Sequence, residues 1–342
     1  FEINFEPVHA LLQSLYSDKK HGNRPCDPQI VLRSFLLKAA FKETSINKWV
    51  RRLRSEPILA LFCGTTAKKS PSVGTYYELL KRLENGPYQK KCRHRILPSE
   101  QRIGSSRLEP RKKKPKDKAE IVEREKGLIK KYAQQTIAKE NQPIVKDQEK
   151  FINEILFLTA VKPSADKGFI KNLEKLVVAG DGSTVISCAA KNGKPTCDCR
   201  RKGIYDCEHL RSYSDKDAQW GWDNLEKDFI FGYRYWQLVC ADNKHDLPIY
   251  LNINSANTHE AYMLIRAIDR FDKQAQLLAP SMQIKEIALD ALFDIHAVYD
   301  YLNYKNLRYA IPYASSPGKC ICLGDKDQFF TEKGEPICPG GL

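Results

Sequence analysis

The sequence lacks any long hydrophobic run. Its longest apolar stretches, such as Ile58 to Cys63, are far shorter than the roughly 18 residues that a membrane span requires. The N-terminus also lacks the basic, apolar and small-residue order of a signal peptide. Eleven cysteines in 342 residues are too few for a disulfide scaffold, and their clustering is more typical of metal sites. We therefore expect no membrane partner and a reducing, cytoplasmic location.

Acidic residues are outnumbered by basic ones. The chain has 56 Lys and Arg against 42 Asp and Glu, a formal net charge of +14 and a pI of about 9.2. Such a balance favours a polyanionic partner, because basic side chains that neutralise phosphates release counterions on binding. Solubility or adhesion to an acidic membrane surface explains the same charge. The length allows two or three domains, and the ends at Phe1 and Leu342 lead us to expect a fragment.

Residues 1–88 have the pattern of an all-α domain. Asp27-Pro28 is a typical start of a helix, and Thr44 or Ser45 caps a second helix with an apolar inner face. A third helix is predicted after Ser70. Three short helices with a basic outer face indicate either a DNA reader of the helix-turn-helix type or a packing domain with ordinary solvated charges. The candidate DNA-binding residues of the second helix are Arg51, Arg52 and Arg54.

A basic linker is predicted over 89–118. It is poor in apolar residues, and we expect it either to follow a phosphate backbone or to be a solvated tether. Its candidate DNA-binding residues are Arg111, Lys112, Lys113 and Lys114. A helical connector is predicted over 119–174, with an interruption at Pro163.

Two short apolar runs, at 176–180 and 284–289, each end in a carboxylate. Asp181 follows the first run and Asp290 follows the second. Both runs are typical of buried strands, and if these strands are neighbours the two carboxylates face each other. Magnesium and manganese prefer oxygen ligands and commonly take one or two carboxylates from a protein. The alternative is that each aspartate only caps a helix or forms a turn, as Asp-Gly-Ser often does.

The order of elements after residue 175 predicts a mixed α/β domain over 175–342. The predicted order is strand, hairpin, helix, strand, helix, strand. This order matches the ribonuclease-H-like arrangement, in which the first and fourth strands are adjacent. The hairpin carries Arg234, which either holds a phosphate or only faces solvent. An insertion at about 185–228 is rich in Cys and His. Zinc favours thiolate and imidazole ligands, so the insertion is either a structural zinc site or a loop of free thiols, formed by Cys197, Cys199, Cys207 and His209.

These motifs together resemble the DDE transposases of bacterial insertion sequences. The resemblance rests on Asp181-Gly182-Ser183, the cysteine-containing insert, 213–223, Phe231-Gly232-Tyr233, 246–249, and Leu289-Asp290 with Asp294, in that order. It implies a ribonuclease-H-like core in which two aspartates and a glutamate bind two magnesium or manganese ions. Asp181 and Asp290 are the matching aspartates, and Asp294 matches a supporting position.

Several expectations follow from this resemblance. The glutamate is expected beyond Leu342, because Glu332 and Glu335 lie in a turn-like stretch. The implied activity is cleavage and strand transfer at the ends of an insertion element, by a homo-oligomer bound to double-stranded DNA near the bacterial nucleoid. The alternatives are an inactive zinc-containing DNA-binding protein derived from a transposase, and a metal-dependent nuclease that does not join strands.

Overall fold

The computed structural model describes the helical and sheet regions, which make up most of the chain. The described residues are 3–16, 25–85, 118–144, 147–191, 193–205, 207, 209, 211–215, 217–223 and 225–312. The predicted basic linker, with Arg111, Lys112, Lys113 and Lys114, lies outside them, and so do Glu332 and Glu335.

Five α-helices form the N-terminal part of the chain. Asp27 Oδ1 accepts a hydrogen bond from the backbone N–H of Gln29 at 2.9 Å, and Ser45 Oγ accepts one from Lys48 at 3.3 Å. Both predicted caps therefore satisfy amide groups that the helix itself leaves without partners. Trp49 and Tyr76 are fully buried in the core between the helices. The helices are α1 (His9–Gln13), α2 (Pro28–Ala40), α3 (Ile46–Ser55), α4 (Pro57–Phe62) and α5 (Val73–Asn85).

A second group of helices connects this part to the sheet. It comprises α6 (Lys118–Ala138), α7 (Gln148–Leu156), a π-helical turn (Phe157–Val161) and α8 (Lys162–Asp166). The interruption predicted at Pro163 is wrong, because the helical path continues from Gln148 to Asp166. Pro163 lies in the first turn of α8, directly after the π turn, where a missing N–H and a bulky ring are tolerated.

The described residues between 167 and 312 form a mixed sheet with helices packed on it. The strands are β1 (Leu176–Ile186), β2 (Lys194–Pro195), β3 (Arg211–Ser212), β4 (Gln219–Asp223), β5 (Asp228–Cys240), β6 (Leu247–Ser255), β7 (Ile284–Ala288) and β8 (Arg308–Ala310). The two long helices are α9 (Glu260–Leu278) and α10 (His296–Tyr304).

The strand order identifies the fold. β1 pairs antiparallel with β5 and parallel with β7; β6 is antiparallel to β5, and β8 is parallel to β7. The order β6-β5-β1-β7-β8 places the first and fourth core strands side by side, as the sequence predicts. β4 pairs with the beginning of β5, while β2 and β3 form a separate hairpin in the insertion. The predicted ribonuclease-H-like fold class is confirmed.

β1 is longer than its apolar run predicts. It continues through Asp181 to Ile186, so the expectation that Asp181 ends a strand is wrong. Thr184, Val185 and Ile186 are β-branched residues, and they pair with Arg234, Tyr233 and Gly232 of β5. This pairing outweighs the local turn preference of Asp-Gly-Ser. Asp290, by contrast, does follow its strand.

Trp236 of β5 and Phe271 of α9 are fully buried in the core beneath the sheet. No helix among the residues that the structure describes is long and apolar enough to cross a membrane.

Candidate active site and Cys/His cluster

The pairing of β1 with β7 brings Asp181 and Asp290 to the same edge of the sheet. Ala179 is the register partner of Ala288, and each aspartate lies two residues beyond its alanine. Because the strands are parallel, both carboxylates reach the same end. They line one cavity of about 260 Å³.

Each aspartate uses one oxygen locally. Asp181 Oδ1 accepts from the backbone N–H of Gly182 at 2.7 Å, and Asp290 Oδ1 accepts from Leu292 at 3.0 Å. The second bond caps the short 3₁₀ turn Ala291–Phe293, so Asp290 has the capping role that the alternative interpretation predicted. Oδ2 of either residue makes no hydrogen bond to any residue that the structure describes. One oxygen of each carboxylate thus remains for a ligand.

The same cavity holds an ion pair. Arg234 Nη1 lies 2.6 Å from Glu260 Oε1, and the two side chains are only 13% and 11% exposed. Arg234 Nη2 also donates to the carbonyl of Trp222 at 2.9 Å. The alternative of a solvent-facing Arg234 is therefore wrong, because the guanidinium is buried against a carboxylate of α9.

Glu260 is the residue that the sequence interpretation missed. It is the first residue of α9 and lies 26 residues after Arg234 in sequence. Burial raises the pKa of its carboxyl group; Arg234 opposes this rise, while Asp290 and Asp181 add to it. Glu260 therefore experiences the charges of both aspartates. The available signal was its place in the first turn of a helix predicted to follow the hairpin.

Gly182 allows Glu260 to lie against β1. A Cβ atom at Gly182 would lie 2.9 Å from Glu260 Oε2 and 3.0 Å from Trp236 Cδ1. A glycine next to Asp181 therefore leaves the space that the Glu260 carboxylate occupies.

Asp223 is a further carboxylate in the wall of this cavity. Its Oδ2 accepts a hydrogen bond from the Thr184 hydroxyl, and backbone N–H groups of Leu225 and Glu226 donate to Oδ1. The Thr184 bond is the main cause of a lowered pKa of Asp223. Asp294, in contrast, does not line the cavity and accepts from the Tyr299 hydroxyl of α10 at 3.0 Å, as expected for a supporting residue.

A larger and mainly apolar cavity of about 590 Å³ adjoins the acidic one. The two share Arg234, Glu260 and Leu292. Trp222 lines the larger cavity and is 43% exposed, and its ring contacts Phe229 with centroids 5.0 Å apart. The acidic cavity thus has an apolar surface beside it.

The four predicted zinc ligands lie together in the insertion. Their ligand atoms are all within 4.8 Å of one another: Cys197 Sγ is 3.5 Å from Cys207 Sγ, and Cys199 Sγ is 3.3 Å from His209 Nδ1. The chain reverses between the first two ligands and the last two. It does so through a 3₁₀ turn, Cys199–Lys202, which ends at Gly203 with φ at +75°. This arrangement can hold one tetrahedral metal ion. Cys188 is exposed and outside the cluster.

The predicted basic residues of α3 differ in their surroundings. Arg51 and Arg54 are exposed. Arg52 forms an ion pair with Glu56 at 2.7 Å and lies 4.6 Å from the centre of the Phe41 ring. Part of the predicted basic face is therefore engaged within the domain.

Fold and site together define a ribonuclease-H-like protein with a carboxylate-lined cavity. Residues 2–82 match the family model described as "Transposase domain (DUF772)". This match covers the N-terminal helices, and it confirms the resemblance to transposases that the sequence predicts. It also supports a transposase role for the chain. No curated protein matches the sequence significantly.

Solved transposase structures are also similar to the chain. One is described as "Mos1 transposase paired-end complex with left transposon end", with 15% identity over 86% of this chain and 61% of that one, and a TM-score of 0.22. Another, "Crystal structure of the Mos1 mariner paired end complex with Mn", has 16% identity over 88% and 64%, and a TM-score of 0.21. The chain therefore spans less than two thirds of these proteins.

Proposed function

We propose that the chain carries the catalytic core of a DNA transposase and that Asp181 and Asp290 are its metal-binding carboxylates. The observation that carries this proposal is the register of β1 with β7. It pairs Ala179 with Ala288, so the aspartates that follow two residues later line one cavity. The match of the N-terminal helices to a transposase domain agrees with it. The reaction we infer is cleavage and strand transfer at the ends of an insertion element.

The donor set suits magnesium or manganese. The oxygens that the aspartates leave without hydrogen bonds are hard ligands, which these ions prefer to sulfur or imidazole. Two such ions would stabilise the attacking and the leaving oxygens of a phosphate displacement. Asp181 pairs with Gln237 of β5, two residues beyond the part of β1 that also pairs with β7, and Asp290 is fixed by its capping bond, so both side chains start from an ordered backbone.

DNA is the partner that the charge favours. With a net charge of +14, the chain is attracted to a polyanion, and Arg51 and Arg54 offer exposed guanidinium groups on α3. The predicted linker residues would add phosphate contacts, and we expect a homo-oligomer that holds two DNA ends. Removal of exposed contacts should weaken binding to all sequences alike.

A strand-transfer assay tests the catalytic proposal. The full-length protein is incubated with Mg²⁺, labelled DNA of its own element ends and a supercoiled target plasmid. Both Asp181→Asn and Asp290→Asn should abolish cleavage and joining, because each removes a charged ligand while preserving shape. Glu286→Gln is the matched control, since Glu286 lies on β7 and pairs with Arg308 rather than lining the cavity.

The outcomes separate the alternatives. Cleavage that persists in both aspartate variants would refute the assignment of the site. Metal-dependent cleavage without joined products would indicate a nuclease. DNA binding without either product in the wild type would indicate an inactive protein derived from a transposase.

We further propose that Cys197, Cys199, Cys207 and His209 hold one structural zinc ion. The support is the convergence of four ligand atoms of the types that zinc prefers. Metal analysis of the purified protein should give about one equivalent of zinc per chain, and Cys207→Ser should lose most of it. Cys188→Ser is the control in the same insertion and should keep its zinc. A wild type without bound zinc after purification in zinc-containing medium would refute this site.

A further inference from the structure

The acidic cavity contains a permanent positive charge. Asp181, Asp223, Glu260 and Asp290 line it together with Arg234. In their ionised forms, four carboxylates and one guanidinium give a formal charge of −3. Arg234 must therefore both stabilise the carboxylates in the absence of metal and oppose the entry of a divalent cation.

The ion pair of Arg234 and Glu260 is partly buried, and one N–H group of Arg234 has no hydrogen-bond partner among the described residues. Glu260 is 9% exposed as a residue and meets Arg234 at 2.6 Å. Arg234 Nε is buried and has no hydrogen-bond partner among the described residues. A buried donor without a partner is costly, so this pair is not at the lowest energy that a guanidinium can reach.

The position of Glu260 favours a role beyond balancing Arg234. Its carboxylate lies directly against Gly182, the neighbour of Asp181, in space that any other residue at 182 would occupy. Glu260 thus lies against β1 at Gly182 and against Arg234 of β5, in the same cavity that Asp181 and Asp290 line.

We propose that Glu260 is a third carboxylate of the divalent-cation site and that Arg234 is its counter-ion while the site is empty. This proposal rests on the proposed function of Asp181 and Asp290. Arg234 holds the Glu260 carboxylate beside Asp181, and a divalent cation competes with Arg234 for it. Arg234 and Glu260 then affect cation affinity in opposite directions.

Manganese binding tests the proposal without any turnover. Mn²⁺ is titrated into the full chain, with free Mn²⁺ followed by electron paramagnetic resonance and the heat of binding by calorimetry. Arg234→Met should tighten Mn²⁺ binding and Glu260→Gln should weaken it, each by about tenfold, as expected for one charge near a divalent ion. The conservative Glu260→Asp should bind with an affinity between those of the wild type and Glu260→Gln.

The double variant separates a ligand from a mere partner of Arg234. If Glu260 contributes to the cation site, Glu260→Gln combined with Arg234→Met binds Mn²⁺ about tenfold more weakly than Arg234→Met alone. Equal affinities of these two variants would overturn the role of Glu260. Unchanged affinity in Arg234→Met would overturn the role of Arg234. If Arg234→Met does not fold, Arg234→Gln replaces it in the single and the double variant, because it also removes the charge and retains a polar group that can donate to the Trp222 carbonyl.

Two controls separate the role proposed for Glu260 and Arg234 from the proposed function of Asp181 and Asp290. Glu149→Gln disrupts another, partly buried ion pair, in which Glu149 Oε2 lies 2.7 Å from Arg266 Nη2, and it should leave Mn²⁺ affinity unchanged. Asp181→Asn should abolish binding if the proposed function is correct. A wild type that binds no Mn²⁺, or binding insensitive to Asp181→Asn, refutes the proposed function itself. Binding that depends on Asp181 but not on Glu260 or Arg234 refutes only the further inference.

Discussion

Gly180 lies next to Asp181 in β1, and its replacement by alanine should destabilise the sheet core. A Cβ atom at this position would lie 2.4 Å from Trp236 Cζ2, 2.7 Å from Trp236 Cη2 and 3.1 Å from Leu289 Cδ2. Trp236 has no exposed surface, so its indole ring cannot turn aside into solvent. One added methyl group must therefore displace a buried indole ring or the strand itself.

The sign of the effect depends on two opposing terms. In a strand without steric conflict, Gly→Ala is favourable by about 0.5–1 kcal/mol, because glycine loses more backbone entropy on folding. Overpacking of a filled core costs about 1–3 kcal/mol, and contacts below 3.0 Å to a buried ring place Gly180 toward the upper end. We expect a net loss of about 2 kcal/mol in the free energy of unfolding.

Urea denaturation followed by far-UV circular dichroism measures this loss, read from the midpoint at a constant m-value. The matched control is Gly127→Ala in α6, where an added Cβ has no neighbour within 4 Å. That variant should be stabilised by up to about 1 kcal/mol, because alanine favours a helix over glycine. If Gly180→Ala loses less than about 0.5 kcal/mol, the core around Trp236 is not filled as described and the reasoning is refuted.

Two further predictions concern buried polar groups. Burial alone would raise the pKa of Asp147, but hydrogen bonds from Arg270 hold it below its usual value. Asp147 therefore stabilises the fold above the pKa of the unfolded state, and this contribution is lost as the pH falls through the lowered pKa of the folded state. Asp147→Asn should therefore be less stable than the wild type at pH 7, and denaturation curves should show this difference shrinking as the pH falls below about 5. A difference that stays constant would contradict this assignment. In the N-terminal core, Ser34 Oγ accepts from Trp49 Nε1 at 2.9 Å and also hydrogen-bonds the Tyr76 hydroxyl. Ser34→Ala should cost about 1–3 kcal/mol in thermal unfolding, because it leaves two buried polar groups without a partner, and an unchanged midpoint would contradict that network.

Elements specified by neighbouring residues are predictable from this sequence. The starts of α2 and α3 follow from Asp27 and Ser45, whose side chains bond amides two or three residues away. The Cys/His cluster belongs to the same class, because its four ligands lie within thirteen residues and a single turn brings them together. The order of strands and helices after residue 175 also predicts the ribonuclease-H-like fold.

Features that depend on distant partners are not visible in the sequence. The length of β1 is decided by pairing with β5, which overrides the turn preference of Asp181-Gly182-Ser183. The ion pair of Arg234 with Glu260 is likewise formed between a strand and a helix. The place of Glu260 in the first turn of a predicted helix is visible in the sequence, but its pairing with Arg234 is not. The continuous helix around Pro163 depends on a π turn, which no local pattern predicts.

The position of β1 between two hydrogen-bonded neighbours has a consequence for how the site opens. Among the described residues, the amide protons around Val178 and Ala179 should be among the slowest to exchange with solvent, because β5 and β7 flank this part of β1 on both sides. Asp181 follows two residues later and is itself paired only with Gln237 of β5. Under the proposed function, a DNA strand would therefore meet a carboxylate pair positioned by the Ala179–Ala288 register, and adjustment at the site would fall mainly to side chains such as Arg234 and Glu260.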